Sequence, residues 1–404
     1  MDVDVAYLNA SLEDPIYMQK PPGYFQDKTD HVLLLKKCLY SLKQSGREWY
    51  KCLSNALFKI GFKKSSTNAA VFYRRSEGQY AIIGSTIDDL TITASNENIL
   101  HQVKCDLNLA FKMKDLREIH WLLTLKIDRD KSARTISFSQ AAYIQNILMR
   151  FNLQDLKEYS TPLDPKIKLN KDQCPSNDEE KKQMAKVPYR QAIGSLMWVA
   201  VATRPDIAFA VSLLLQFLEN PGEIHWNATK CIFKYLKKTK DHKLTLGSSR
   251  NGLLGYADAN WASQDHRHPI LAYIFQINSR SISWSCQKQS IVALSTTEAE
   301  FIAMTHATKE AIWLKNFITE IFQPLKYPIK ICSDNQSTIT IAYSNQMHTH
   351  TKHFDIRLYF IRNTIDNKKI EFKYLQTDQM LVDILTKGLP SPKVNYFNQK
   401  LRVY

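Results

Sequence analysis

The sequence has 404 residues with 54 basic and 39 acidic side chains, a formal net charge of +15, and a length that predicts two or three domains. Its 44% apolar share excludes a disordered or collagen-like chain, and its longest apolar run, at about residues 196–202, is too short to span a membrane. Seven dispersed cysteines and the lack of a secretory signal predict a reducing, intracellular location, the cytoplasm and/or the nucleus, without a transmembrane segment.

Residues 1 to 125 mix strand-like runs with one clear helix, predicted over 47–60 from the helical spacing of its apolar side chains. Two β-rich runs, at 80–86 and 90–93, flank Asp88 and Asp89. Aspartate is a poor strand former, so this pair predicts a hairpin tip. An ordinary polar turn would give the same pattern.

The middle of the chain, residues 126–245, predicts a strand at 135–138, a helix at 141–151, a proline-containing linker at about 157–188 and then mostly helices. Its end carries the densest basic patch of the chain, with aromatic residues interleaved. The patch is formed by Lys230, Lys234, Lys237, Lys238, Lys240 and Lys243. Together with the net charge, it favours binding to nucleic-acid phosphates, although a solvated helix face would look similar.

The last region, residues 246–404, predicts a mixed sheet with helices packed on it. A capping-box pattern, Ser295-x-x-Glu298, precedes the longest predicted helix. The strands are predicted at 253–256, 271–277, 281–285, 329–332 and 370–375, and the helices at 296–322, 336–344 and 378–386.

Four acidic residues of this region lie near the ends of the predicted elements: Asp258, Glu300, Asp334 and Asp383. If they converge at one end of the sheet, their oxygens could bind two Mg²⁺ ions about 3.5–4 Å apart and support phosphodiester chemistry. Glu298 is a rival for Glu300, but it has a ready explanation as the capping-box acid. Asp334 could instead cap the following helix, so the spacing alone leaves both interpretations open.

The chain resembles the C-terminal part of a copia-type retrotransposon polyprotein, in which a reverse transcriptase is followed by a ribonuclease H. The similarity covers nearly all residues and rests on twelve motifs in the same order. The motifs are DVDVAYLN, LYSLKQSGREWY, IDDL, FKMKDLREIHWLL, YIQNIL, STPLDP, YRQAIGSLMWVAVATRPDIAFAV, GYADANWA, SISWSCQKQSIVALSTTEAEFIA, CSDNQSTI, TKHFDIR and LVDILTKGLP.

The resemblance implies a polymerase centre in which Asp2, Asp88 and Asp89 hold two Mg²⁺ ions, with Mn²⁺ as an alternative. Asp4 is a rival for Asp2, but it falls at a variable position of the motif. Tyr7 matches the residue that excludes a ribose 2′-hydroxyl. The segment near template and nucleotide is matched by Lys43, Gln44 and Arg47.

For the second module, the resemblance implies that Asp258, Glu300, Asp334 and Asp383 are the metal-binding tetrad of ribonuclease H. The implied partners are an RNA template, a DNA primer, the RNA–DNA hybrid and deoxynucleotide triphosphates. His353, Asp355 and Arg357 belong to a family motif to which we assign no chemical role; a hydrogen-bonded structural cluster is the expectation. These expectations amount to an α/β (α+β) chain with a palm at 1–125, a thumb and connection at 126–245 and a ribonuclease H-like domain at 246–404.

The sequence also departs from the family pattern. Ser41 and Thr124 stand where the family commonly has glycine, Ser45-Gly46 replaces Ala-Pro, Thr86 replaces a tyrosine, and Asn260 replaces a second acid. The match begins at Asp2, so the upstream fingers segment is not represented and we expect polymerase activity to be weak or absent. The alternative function is that of a non-catalytic element relic that at most binds nucleic acid.

Overall fold

The computed structural model describes residues 1–23, 31–76, 78–247, 252–260, 269–289, 293, 295–322, 324–344 and 355–404. The chain divides into two compact units. Unit 1 comprises Met1–Ile119 and Lys315–Leu325, and unit 2 comprises His120–Leu314 and Lys326–Tyr404. Both units combine helices with sheet, so the predicted α/β (α+β) class is confirmed. The three-part division at residues 125 and 245 stays a prediction.

Unit 1 contains a six-stranded sheet in the order β4-β5-β6-β7-β1-β8 and a separate two-stranded ribbon, β2-β3. Its helices are α1 (Ser45–Lys59) and α2 (Glu97–Ala110). Its strands are β1 (Asp2–Val3), β2 (Ser11–Met18), β3 (Leu33–Lys37), β4 (Lys63–Lys64), β5 (Val71–Ser76), β6 (Gln79–Thr86), β7 (Asp89–Ala94) and β8 (Met113–Lys114).

The core of unit 1 lies where the two helices cover the sheet. Helix α1 buries Trp49, Leu53 and Leu57, which recur at helical spacing, and this helix was predicted. Helix α2 buries Val103 and Leu107 and was missed. Its signal was present in the sequence, because an asparagine N-cap precedes apolar residues spaced four apart.

Unit 2 contains a four-stranded antiparallel sheet and a five-stranded mixed sheet, in the orders β12-β11-β10-β9 and β15-β14-β13-β16-β17. The strands are β9 (Trp121–Leu122), β10 (Leu125–Asp130), β11 (Thr135–Ser139), β12 (Lys243–Gly247), β13 (Leu253–Asn260), β14 (Ile270–Ile277), β15 (Arg280–Lys288), β16 (Ile329–Ser333) and β17 (Ile370–Tyr374). The helices are α3 (Ala141–Arg150), α4 (Asp178–Met184), α5 (Tyr189–Ala202), α6 (Ala208–Leu215), α7 (Glu223–Lys238), α8 (Thr296–Ile321), α9 (Gln336–Tyr343), α10 (Asp355–Asp366) and α11 (Ser391–Leu401), of which α8 ends in unit 1. None of the helices in the described ranges has the length and apolarity needed to cross a bilayer.

The five-stranded sheet has the predicted mixed topology. Strands β13, β14 and β15 are antiparallel neighbours, whereas β13, β16 and β17 run parallel to one another. Because β13 and β16 are adjacent and parallel, their carboxyl ends meet at one edge of the sheet. Residues that end these strands therefore face a common site.

The predicted helix at 378–386 is wrong. The chain there forms two short 3-10 turns, Thr377–Gln379 and Leu381–Leu385. The second turn is buried along its whole length, so its nearly continuous apolar run carries no helical period. Helices α10 and α11 were not predicted, and the predicted linker at 157–188 contains α4.

A buried ion pair links the helical part of unit 2 to its C-terminal helix α11. Arg204 and Asp206 have relative exposures of 0% and 2%, and their closest side-chain atoms lie 2.7 Å apart. Tyr235 donates to Asp206 at 2.6 Å and accepts from Asn398 of α11 at 2.9 Å. Thr239 satisfies the guanidinium with both its carbonyl and its hydroxyl oxygen. Removing either charge would leave its partner buried and unpaired. Because Tyr235 lies on α7 and Asn398 on α11, the network also ties these two helices together.

Two of the departures from the family pattern fall at strained backbone positions. Ser41 has a φ of 73° and Thr124 a φ of 67°, both in the left-handed region that favours glycine. A β-branched side chain such as that of threonine is especially unfavourable there.

We therefore expect Ser41→Gly to raise the free energy of unfolding by about 0.5–1 kcal/mol. Thr124→Gly should raise it by a similar amount, because relief of the larger strain is partly offset by loss of the hydroxyl that accepts from Nε1 of Trp198 at 3.2 Å. Urea unfolding curves of the two variants measure the effect. Thr93→Gly, in the extended strand β7, is the control and should lower stability. A loss of stability in Ser41→Gly and Thr124→Gly would contradict the proposed strain.

Candidate metal centres

Three carboxylates of unit 2 converge at the edge where β13 and β16 end. Asp258 lies near the end of β13, Glu300 in the first turns of α8, and Asp334 directly after β16. One carboxylate oxygen from each of the three lies within 4.8 Å of those from the other two, and within the described ranges they are the only such group of acidic, histidine or cysteine side chains. Asp258 and Glu300 are buried, and Asp334 is half-buried.

The electrostatics of this cluster favour a cation. Burial, followed by the charges of Asp258 and Asp334, raises the pKa of Glu300 well above its ordinary value. The backbone N–H of Ala259 opposes this rise by donating to Oε2 of Glu300 at 3.2 Å. Three carboxylates that repel one another and offer only oxygen atoms fit a hard divalent cation such as Mg²⁺.

Asp383 and Lys387 lie beside this cluster. Burial, followed by the charge of Asp258, raises the pKa of Asp383 to about 6. Lys387 places its Nζ 2.9 Å from Oδ1 of Asp383 and 3.6 Å from Oδ2 of Asp258. Burial lowers the pKa of Lys387, but the neighbouring carboxylates more than offset this and raise it overall. Lys387 was not predicted, although its spacing four residues after Asp383 is a recognisable pairing signal.

Hydroxyl groups orient two of the carboxylates. Thr386 donates from Oγ1 to Oδ2 of Asp258, and Thr377 donates to Oδ2 of Asp334 at 2.7 Å. The alternative that Asp334 caps α9 is wrong, because Asn335 is the N-cap and accepts from the Thr338 N–H at 2.9 Å. The carboxylate of Asp334 is thus available to the cluster.

The rival of Glu300 has a structural role. Ser295 accepts a hydrogen bond from the backbone N–H of Glu298 at 3.2 Å, which is one half of the predicted capping box. The oxygens of Glu298 do not belong to the three-carboxylate group found within the described ranges.

In unit 1, Asp2 and Asp89 lie opposite each other on two strands, and Asp88 precedes Asp89 in the turn. Asp2 of β1 lies opposite Asp89 of β7, and the flanking backbone bonds join Val3 to Asp88 and Leu90 to Met1. This pattern is a non-hydrogen-bonded antiparallel pair, in which Cα atoms approach to about 4.5 Å and both side chains leave the same face. Asp4, the rival of Asp2, forms an ion pair with Lys112 at 2.8 Å.

The turn that carries Asp88 joins β6 and β7, as the hairpin prediction required. Thr86 pairs with Asp89, so Ile87 and Asp88 form the two-residue loop. Ile87 has a φ of 51°, a strained value for a β-branched residue that costs on the order of 1–3 kcal/mol. Trp49 of α1 holds the turn by donating from Nε1 to the carbonyl of Ile87 at 2.8 Å.

Two tyrosine rings lie beside this turn. Tyr7, on a 3-10 turn after β1, packs against Tyr40 with ring centroids 4.6 Å apart. The hydroxyl of Tyr40 donates to Oδ2 of Asp88 at 2.8 Å, and this bond raises the pKa of the tyrosine. The contact between Tyr40 and Asp88 was not predicted from the sequence.

The predicted template and nucleotide residues lie at the start of α1. Gln44 is the N-cap residue and is half-buried, whereas Lys43 and Arg47 are exposed. A Cβ placed on Gly46 would lie 3.8 Å from the hydroxyl of Tyr7, so this helix end lies next to that tyrosine.

The predicted basic patch is distributed over α7 and the residues that follow it. Lys230, Lys234 and Lys237 lie on one helix face at spacings of four and three, and Lys238 and Lys240 are exposed. Several of these lysines have intramolecular partners. They are Lys230 with Asn227, Lys237 with the carbonyl of Leu156, Lys238 with Ser160, and Lys243 with Asp128.

The expected structural cluster of His353, Asp355 and Arg357 is only partly within the described residues. His353 and the side chain of Asp355 lie outside them. Arg357 lies on α10 and is half-buried.

Comparisons with known sequences agree on one class. Residues 1–165 match the family described as reverse transcriptase (RNA-dependent DNA polymerase). The retrovirus-related Pol polyprotein from transposon TNT 1-94 of Nicotiana tabacum is 40% identical over 97% of this chain and 30% of its own length. The putative transposon Ty5-1 protein of Saccharomyces cerevisiae is 30% identical over 77% of this chain and 100% of its own length. Among solved structures, the foamy viral protease-reverse transcriptase in complex with RNA/DNA hybrid shows 14% identity and a TM-score of 0.43, covering 85% of this chain and 39% of that one.

A reverse transcriptase segment followed by an acidic centre on a mixed sheet defines a retroelement Pol protein. Most of the chain is also similar in sequence to plant and yeast transposon proteins. The chain therefore belongs to the copia-type retrotransposon Pol family. The chain spans about 30% of the length of the tobacco polyprotein.

The raised pKa of Asp383 predicts how stability depends on pH in metal-free protein. Its pKa is about 6 in the folded state against an ordinary 3.8, so the folded state binds more protons between these values. Asp383 therefore lowers the free energy of unfolding as pH rises from about 4 to about 6. Asp383→Asn should remove this contribution and stabilise the protein at pH 7 by on the order of 1–2 kcal/mol.

Urea unfolding in EDTA from pH 4 to pH 8 measures this difference. Asp366→Asn, at an exposed position on α10, is the control and should follow the wild-type curve. A constant difference between Asp383→Asn and wild type at every pH would contradict the assignment.

Proposed function

We propose that unit 2 cleaves the RNA strand of an RNA–DNA hybrid by ribonuclease H chemistry. The observation that carries this proposal is the convergence of Asp258, Glu300 and Asp334 at one edge of the mixed sheet. Membership of the copia-type family supports the choice of a nucleic-acid substrate.

Asp258, Glu300, Asp334 and Asp383 would hold two Mg²⁺ ions, with Mn²⁺ as an alternative. When bound, the ions would activate a water molecule and stabilise the leaving oxygen of the phosphodiester. Thr386 and Thr377 keep the carboxylates of Asp258 and Asp334 oriented, as partners of metal ligands commonly do. Lys387 supplies a positive charge that limits the repulsion between Asp258 and Asp383.

The hybrid would be bound through its phosphates. The exposed Lys238 and Lys240 are the members of the basic patch best placed for this contact, and the +15 net charge supports it.

All seven cysteines are free and all lie in the described part of the chain, which favours the cytoplasm and/or the nucleus.

We propose a second activity, RNA-directed DNA synthesis, for unit 1. The observation that favours it is the close cross-strand pair of Asp2 and Asp89 beside Asp88. These carboxylates would hold the two metal ions, and Tyr7 would exclude a 2′-hydroxyl from the sugar site. Lys43, Gln44 and Arg47 would contact the template and the deoxynucleotide triphosphate, since a helix N-terminus attracts phosphates. The DNA primer would end near Asp88.

The test of the first activity is cleavage of a labelled RNA–DNA hybrid by the full chain. We expect cleavage with Mg²⁺ or Mn²⁺ that stops in EDTA and falls by on the order of 100-fold or more in Asp334→Asn, which lacks one metal-binding carboxylate. Asp366→Asn is the matched control, because it removes an exposed acid of the same unit.

No cleavage by folded wild-type protein would favour the non-catalytic relic, which should still bind the hybrid with a steep dependence on salt. Equal cleavage by wild type and Asp334→Asn would overturn the metal-ligand assignment.

Extension of a DNA primer on an RNA template tests the second activity. We expect it to be slower than hybrid cleavage, because in the described residues the oxygens of Asp2, Asp88 and Asp89 are not gathered as those of the unit 2 cluster are. Asp2→Asn should abolish extension, whereas Asp4→Asn should retain it. The reverse order of the two variants would show that Asp4 is the ligand.

A further inference from the structure

The side chain of Lys387 places a positive charge between two of the four proposed metal ligands of unit 2. Its Nζ lies 2.9 Å from Oδ1 of Asp383 and 3.6 Å from Oδ2 of Asp258. The side chains of these two aspartates are only 6% and 3% exposed. The ammonium group therefore bridges two buried carboxylates of the proposed metal centre.

The two proposed cation positions of this centre differ in what they already contain. Within the described residues, the compact oxygen group is formed by Asp258, Glu300 and Asp334, and Asp383 is not a member of it. A second ion about 3.5–4 Å from the first would share Asp258 and take Asp383 as a further ligand. The ammonium of Lys387 lies against these same two carboxylates. It competes with a divalent cation there, because the two positive charges repel each other and need the same oxygens.

The backbone around Lys387 is fixed, whereas its side chain is free to move. The backbone N–H of Lys387 donates to the carbonyl of Asp383 at 3.0 Å. The preceding residue, Thr386, donates from Oγ1 to Asp258, and its carbonyl accepts from Nδ2 of Asn260 at 2.9 Å. The side chain of Lys387, in contrast, is 34% exposed and has a flexible four-carbon stem. The ammonium can therefore move into water while the backbone stays in place.

We propose that Lys387 acts as an internal cation, which occupies the position of the second metal ion and is displaced when that ion binds. This inference rests on the proposed ribonuclease H function of unit 2. It makes the site of Asp258, Glu300 and Asp334 the stronger one, and the site shared by Asp258 and Asp383 the weaker one. Lys387 thereby sets the concentration of divalent cation that the second site needs.

Electron paramagnetic resonance of Mn²⁺ bound to the full chain tests this proposal. Two Mn²⁺ ions about 4 Å apart couple magnetically, so their spectrum differs from that of a single bound ion. The pair signal of unit 2 is the part that Asp383→Asn removes. The single-ion signal of unit 2 is the part that Asp334→Asn removes. Neither signal depends on cleavage of a substrate.

We expect Lys387→Met to lower the Mn²⁺ concentration for half-maximal pair signal by about tenfold, because the competing charge is gone. The midpoint of the single-ion signal should change much less. Lys387→Arg keeps the charge and should not lower the midpoint of the pair signal. The wild-type chain gives a test that needs no variant, since its pair signal should require at least about tenfold more Mn²⁺ than its single-ion signal.

Lys330→Met is the matched control. It removes a lysine of the same unit that pairs with Glu371 at 3.6 Å, away from the proposed metal ligands. Both Mn²⁺ midpoints should stay at their wild-type values in this variant. Circular dichroism at each Mn²⁺ concentration checks that the variants are folded.

The other outcomes separate this inference from the proposed function. Equal shifts of both midpoints in Lys387→Met would indicate a general effect of charge and would overturn the displacement. A higher midpoint of the pair signal would overturn it too, by showing that Lys387 holds Asp383 in place for the ion. If single ions bind but no variant gives a pair signal, the two-metal chemistry proposed for unit 2 is itself wrong, and the inference is overturned with it.

Discussion

Repulsion between carboxylates is the constraint on which both centres depend. Left to themselves, like charges separate, so a group of acids persists in a fold only where the backbone holds it together. In unit 2 the adjacent parallel strands β13 and β16 end at the same edge and bring Asp258 to Asp334, while the start of α8 adds Glu300. Lys387, two threonine hydroxyls and a backbone N–H then offset the repulsion.

The two centres meet this constraint differently. The unit 2 cluster is largely buried, so desolvation adds to repulsion and raises the pKa of Glu300 and of Asp383. In unit 1 the corresponding acids lie nearer the surface: Asp89 is exposed, and Asp2 and Asp88 are half-buried. Water screens their charges, so the orientation of these side chains becomes the main requirement. Tyr40 donates a hydrogen bond to Asp88, and Trp49 donates one to the carbonyl of Ile87 in the same turn.

Elements with a strong local signal were predictable. Helix α1 and the hairpin of β6 and β7 agree with the sequence to within two residues, because one has a clean helical period and the other a turn between β-rich runs. The stretch 378–386 was misassigned, because an apolar segment buried on all sides shows no period. Tyr40 was overlooked for a different reason, because its partner Asp88 lies far away in sequence. Lys387 has a local partner in Asp383, but its contact with the distant Asp258 could not be read from spacing.

The sequence by itself determined the family, the fold class and the identities of the candidate acids, since these depend on residue types in a given order. Only the tertiary structure decided which acids meet. It gathers Asp258, Glu300 and Asp334, pairs Asp4 with Lys112, and makes Asn335 rather than Asp334 the cap of α9. The physical reason is that spacing along the chain limits where a residue can lie, whereas the distance between two carboxylates depends on strand order and register.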